Sequence, residues 1–118
     1  MTAYAIWHTP ACSTSRFVLR ALRDAGVGVT VRDYQAQPPT ADELRAALDR
    51  LGIPARALLR RRNTPHDDLG LGDPALSDDA LITAMADHPA LIERPVVFGP
   101  RGARLCRPKE TVFDLLAG

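Results

Sequence analysis

The stretch WHTPACSTSR, residues 7–16, holds the side chains best suited to chemistry: Cys12, followed by Ser13, Thr14 and Ser15, and preceded at four residues by His8. A thiol at the mouth of a helix feels the unpaired first-turn N–H groups and the positive end of the helix dipole, and both favour thiolate over thiol. The same loop N–H groups, with the three hydroxyls, are suited to a small oxyanion. His8 is a candidate nearby cation. Lowering a thiol from about 8.5 to roughly 6.5 raises its thiolate fraction at neutral pH from ~3% to ~75%, but the lost nucleophilicity returns about eightfold, leaving a net gain near threefold. A thiolate facing an anionic electrophile therefore needs cations that neutralise and hold it.

Candidates for those cations are Arg60 in ALLRRR, Arg94 in ERP and Arg107 in LCRP, each at the end of a predicted element. The guanidinium fork fits tetrahedral oxyanions. Each residue also has a plainer reading: a buried small hydrophobe for Cys12, a solvated helix end for Arg60, a surface ion pair for Arg94, a helix-flanking charge for Arg107. Fourteen of the fifteen basic residues are arginine, so arginine number carries no information and position must decide.

The elements that would position these groups follow from local pattern. Tyr4 to Trp7 reads as a strand, and Val18, Ala21, Leu22 and Ala25 recur at helical spacing between Ser15 and Gly26. Val27, Val29 and Val31 alternate with smaller or polar residues up to Tyr34, completing a β-α-β unit with a parallel, right-handed crossover pair. Thr40 with Glu43 forms a capping box for a helix carrying Leu44, Ala47, Leu48 and Leu51 and stopped by Gly52. Pro54 opens a short helix through Leu59, and Asn63 to Pro74 reads as irregular. Ser77 caps a helix with Leu81, Ile82 and Met85, ended at His88-Pro89. Val96–Phe98 and Ala103–Cys106 form a hairpin about Gly99-Pro100-Arg101-Gly102, and Pro108 opens a last helix bearing Val112, Phe113 and Leu116.

The fold class is thus α/β: β-α-β, a helical insertion over about 38–92, then β-β-α around a mixed sheet. A length of 118 residues and 46% hydrophobic composition fit one domain with one core, residues 1–118. The formal net charge of +1 supplies no field for nucleic acid or an acidic membrane surface. No segment reaches the roughly twenty apolar residues of a membrane span, and MTAYAIWHTPAC lacks the form of a signal peptide, so a soluble cytoplasmic protein is expected. Two cysteines and three scattered histidines match no metal spacing.

HTPACSTSR, the double proline before TADELRAALDRLGI, ALLRRR, DDLGL, SDDALITAMADHPALIERPVV and RLCRP together resemble the glutaredoxin-dependent arsenate reductase family over nearly the whole chain. The resemblance implies a thioredoxin-like fold with an inserted helical subdomain. It implies reduction of arsenate to arsenite, with Cys12 as nucleophile and His8 helping to depress its pKa. By the same resemblance Ser15 supports the anion loop, Arg60, Arg94 and Arg107 form an oxyanion triad, and Pro95 is a cis proline supporting the site. Glutathione is implied as co-substrate and glutaredoxin as partner, with no bound cofactor and no metal; a monomer is the default state. Relatives often continue in a polar tail beyond the point where this sequence stops, at Gly118. The loop is C-x-x-S rather than C-x-x-C, and Cys106, at a predicted strand end, reads as buried and inert. Two other readings share the fold: a redox regulator of the Spx kind that binds RNA polymerase, against which the missing second loop cysteine and the presence of Arg60 and Arg107 argue, and a glutathione-dependent thiol reductase of another substrate.

Overall fold

Trp7 and Ser15 stand eight positions apart in the sequence, and in the computed structural model, which describes residues 3–116, a strand and a helix meet within that span. The elements in chain order are β1 (Tyr4–His8), α1 (Ser13–Asp24), β2 (Val29–Asp33), α2 (Ala41–Leu51), α3 (Ala55–Leu58), α4 (Asp78–Asp87), β3 (Val96–Gly99), β4 (Gly102–Leu105) and α5 (Val112–Leu116). Single 3₁₀ turns occupy Pro89–Leu91 and Lys109–Thr111. The last helix therefore begins four residues after Pro108 rather than at it, and Pro89 opens a turn as well as closing α4. The chain divides into two compact units: residues up to Gln37 together with those from Arg94 on, and Pro38–Glu93.

The first unit is built on one four-stranded sheet of order β2-β1-β3-β4. β1 runs parallel to β2, with Tyr4 opposite Val29 and His8 opposite Asp33, and antiparallel to β3, with Ile6 opposite Val97. β3 and β4 form the hairpin, Val96 opposite Leu105 and Gly99 opposite Gly102. β-α-β followed by β-β-α in a mixed sheet is the thioredoxin-like arrangement. Its core gathers Tyr4, Ile6 and Val97 from the sheet, Val18, Leu19 and Leu22 from α1, Val112 and Leu115 from α5, and Cys106. Val18 and Leu22 stand four apart, so one stripe of α1 faces the sheet. Burying side chains of this size contributes about 1.5–3 kcal/mol each. Val31, opposite Ile6 on the sheet, is 40% exposed because β2 is an edge strand, so the alternation read from the sequence is only half used.

The Pro38–Glu93 unit is helical. Thr40 Oγ1 accepts from Glu43 N–H at 3.1 Å and Glu43 Oε1 accepts from Thr40 N–H at 3.0 Å, the reciprocal capping box expected at α2. Gly52 closes α2 in the left-handed conformation, φ 67°. α4, capped by Ser77 Oγ, packs against α2 and α3 with Leu81, Ile82 and Met85 buried. After α3 the chain turns extended: Leu59 bridges Ile92, Arg60 N–H donates to Leu91 at 2.6 Å and Glu93 N–H donates to Leu58 at 2.8 Å. That short pairing places Arg60 beside Glu93.

Candidate active site

Cys12 is the N-cap residue of α1, extended at φ −101° and ψ 122°. Its backbone is set from both sides, its N–H donating to Thr9 at 3.2 Å and its carbonyl accepting from Arg16 at 3.0 Å. The thiol is half-buried and unpaired with any other cysteine. No neutral capping hydrogen bond forms at the N-cap, yet the first-turn N–H groups act on the charged sulfur. Burial pushes the Cys12 thiol up, but the N–H of Ser15, the Arg94 side chain and the N–H of Thr14 outweigh it and hold the thiol below its ordinary value. This is the dipole and N–H effect anticipated from the sequence, with a guanidinium added.

Arg94 supplies that guanidinium. The Cys12 sulfur and the Tyr34 hydroxyl both act on its charge. Burial works against its charge, but Cys12 and Tyr34 more than restore it, so Arg94 is a firmer cation than a free arginine. Its Nε is buried without a hydrogen-bond partner. A buried donor left unsatisfied costs about 1–3 kcal/mol, a cost an incoming oxygen acceptor would relieve. The Arg94–Pro95 bond is cis, as is Arg107–Pro108. Pro95 is buried, and its carbonyl accepts from Cys106 N–H at 2.9 Å. Arg107 is exposed, and one of its Nη groups donates to the Arg94 carbonyl at 3.0 Å. The structure thus brings Cys12, Arg94 and Arg107 to one neighbourhood.

His8 and Ser15 form a separate buried pair behind the loop. His8 Nδ1 lies 2.5 Å from Ser15 Oγ, which also accepts from Thr9 N–H at 3.2 Å. The Ser15 hydroxyl is therefore spent inside the loop, and its contribution to the sulfur is its backbone N–H. Burial, the largest influence on His8, lowers its pKa; Asp33 opposes this, and Arg23 and Arg16 reinforce it, so the imidazole is held below its ordinary value. Arg94 is a cation that acts on the sulfur. Ser13 is exposed and Thr14 half-buried on the first turn of α1.

Arg60 lies in the helical unit. Its Nη1 meets Glu93 Oε1 at 2.6 Å and its Nε donates to the Arg62 carbonyl at 3.2 Å, with the two side chains only 12% and 20% exposed. It is neither a solvated helix end nor part of an exposed run, whereas Arg61 pairs with Asp67 in the open. Cys106 is fully buried, and burial pushes its thiol up to about 12. Among the described residues no group of three or more His, Cys, Asp or Glu could hold a metal ion, and no helix is long and apolar enough to cross a membrane. Tyr34 is the residue that sequence reading missed. It appeared only as a strand end, and its effect on Arg94 spans sixty positions of sequence.

A thioredoxin-like fold carrying one reactive thiol at the start of its first helix, with a guanidinium against the sulfur, defines a class of thiol-dependent α/β protein that handles anions. The chain belongs to the ArsC family, whose sequence model matches residues 7–115. It is 49% identical over 111 residues to the arsenate reductase of Rhizobium meliloti (strain 1021), covering 94% of this chain and 79% of that one. It is 46% identical over 116 residues to the arsenate reductase of Escherichia coli (strain K12), covering 98% and 82%. Among solved structures, the arsenate reductase from Vibrio cholerae superposes with a TM-score of 0.91 at 41% identity, covering 97% of this chain and 98% of that one.

Proposed function

We infer that this chain is an arsenate reductase, taking arsenate to arsenite through a covalent bond between Cys12 and arsenic. The observation that carries the reading is the contact between the Cys12 sulfur and the Arg94 guanidinium at the start of α1, in a family whose relatives bear that name. Arsenate docks on the first-turn N–H groups of Ser13, Thr14 and Ser15 and on the guanidinium groups. The uncommitted Arg94 Nε–H supplies one donor. The Cys12 thiolate attacks As(V); its lone pair forms the S–As bond as the As–O bond to the leaving group breaks, and hydroxide or water departs.

Arg107 and Arg60 are assigned with Arg94 to the oxyanion triad on the family resemblance, which also assigns Pro95 to supporting the site. The pairing of His8 with Ser15 supports a role in shaping the loop rather than in supplying charge. Glutathione then attacks the adduct, As(V) becomes As(III) as two thiols become one disulfide, and glutaredoxin with further glutathione restores the Cys12 thiol. Cys106, buried and firmly protonated, takes no part. On this reading the protein is one thioredoxin-like domain with a helical insertion, monomeric and cytoplasmic, needing no bound cofactor.

The test is arsenate-dependent NADPH consumption with glutathione, glutathione reductase and glutaredoxin. Native protein is expected to turn over and Cys12→Ser to be inactive; activity surviving Cys12→Ser would refute the assignment of the nucleophile.

A further inference from the structure

α3 ends at Leu58, and the chain beyond it runs antiparallel to the segment that closes the helical unit. Main-chain groups make that join: Leu59 bridges Ile92, Arg60 N–H donates to the Leu91 carbonyl and Glu93 N–H donates to the Leu58 carbonyl. The join is complete without the side chains of Arg60 and Glu93. These nevertheless meet, Arg60 Nη1 donating to Glu93 Oε1 at 2.6 Å with both side chains largely buried.

A second contact holds the same guanidinium, its Nε donating to the Arg62 carbonyl at 3.2 Å. A guanidinium is a rigid plane of three nitrogens, so contacts at Nε and Nη1 also set the direction of Nη2. Among the described residues Nη2 has no hydrogen-bond partner. The next arginine differs: Arg61 gives both Nε and Nη2 to the Asp67 carboxylate, at 3.0 and 3.2 Å, on the open surface. A carboxylate beside Arg60 weakens its pull on a distant anion, because the opposite charges largely cancel there. What the pair supplies in exchange is a fixed direction for a long and otherwise mobile side chain.

We propose that Glu93 is a positioning residue whose carboxylate, together with the Arg62 carbonyl, presets the Arg60 guanidinium so that its Nη2 edge meets a transition-state oxyanion without reordering. The proposal rests on the assignment of Arg60 as a substrate cation under the proposed function. In this role Glu93 acts through Arg60 and not on the substrate. The alternative is a purely structural ion pair, whose loss would lower stability and leave the kinetics of the folded protein alone.

Arsenate reduction is followed in the glutathione and glutaredoxin coupled assay for the native chain, Glu93→Ala, Glu93→Gln, Arg60→Ala and the double alanine variant. Glu93→Ala is expected to lower kcat roughly tenfold, a fraction of the hundredfold or more that one oxyanion donor is worth. KM for arsenate is expected to stay level or fall, because the released guanidinium keeps its whole charge. Glu93→Gln, which retains an acceptor oxygen in the same place, is expected to recover most of kcat. In the Arg60→Ala background Glu93→Ala is expected to add nothing. Native kcat in Glu93→Ala, a rise in KM alone, or a loss that persists undiminished without Arg60 would overturn the proposal. Should Glu93→Ala fail to fold by circular dichroism, the native protein supplies a second reading: separate Nη–H resonances for a hindered Arg60 guanidinium are expected, and fast averaging of them contradicts the pinning. The two failures look different. Arg60→Ala with native kinetics removes Arg60 from the substrate site and this proposal with it, whereas an impaired Arg60→Ala beside a native-like Glu93→Ala removes the proposal alone.

Discussion

His8 Nδ1 stands 2.5 Å from Ser15 Oγ, and both residues are buried, so the imidazole is bound into the fold rather than aimed at the thiol. Burial lowers the His8 pKa in the folded state, so on acidification the unfolded chain takes up the proton first. The His8 contribution to stability is therefore complete above about pH 6.5 and is lost as pH falls through the lower folded-state value. Urea midpoints of native protein are expected to drop between about pH 7.5 and about pH 5, and His8→Asn is expected to drop less over the same interval. Equal drops would contradict a buried, neutral His8. Ser15→Ala, which strands both Thr9 N–H and His8 Nδ1, is expected to cost about 1–3 kcal/mol at neutral pH.

The two cysteines should part company under alkylation. Cys12 is held below the ordinary thiol range by the loop N–H groups and Arg94, whereas burial pushes Cys106 up to about 12. Mass spectrometry after brief iodoacetamide treatment near neutral pH is expected to find one adduct, on Cys12, in native protein and two in denatured protein. Cys106→Ala is expected to leave arsenate turnover intact; abolition of turnover in folded Cys106→Ala would restore Cys106 as a participant.

Lysine should replace the arginines poorly. At Arg94 it offers a single compact charge in place of the planar fork of donors, and it loses the buried Nε–H. Arg94→Lys is expected to lower kcat/KM for arsenate on the order of a hundredfold, the scale of one lost donor to the transition state. The same substitution at Arg107 and at Arg60 is expected to be costly as well. Native kinetics in all three lysine variants would remove the triad.

Gly99 lies under the Tyr4 ring: a Cβ built there meets Tyr4 Cε2 at 2.6 Å. Tyr4 is itself fixed, with its hydroxyl donating to the Leu115 carbonyl at 3.3 Å. Gly99→Ala is expected to destabilise by about 1–3 kcal/mol in denaturant titration, the usual cost of overpacking. An unchanged midpoint would mean the ring moves aside freely.

Most of the framework was legible in local pattern. The capping box at Thr40 and Glu43, the glycine stop at Gly52, the hairpin about Gly99–Gly102 and the placement of Cys12 at a helix mouth all depend on neighbours within a few residues, where spacing is informative. Long-range facts were not legible. Spacing put His8 near Cys12 as a cation, but the burial that lowers its pKa and the pairing with Ser15 are not reported by spacing. Tyr34 lies sixty positions from Arg94, on whose charge it acts. Arg60 showed as one of three arginines in a row; the pairing of Leu59 with Ile92 is what singles it out beside Glu93.

The central claim is that a thiolate favoured by helix N–H groups and Arg94 bonds directly to an anionic arsenic(V) centre. Crystals of the native protein soaked in arsenate test it most directly. Continuous density joining Cys12 Sγ to arsenic, with an arsenate oxygen within hydrogen-bond reach of Arg94 Nε, is the expected result; arsenate bound with no bond to sulfur, or bound away from Arg94, would contradict it.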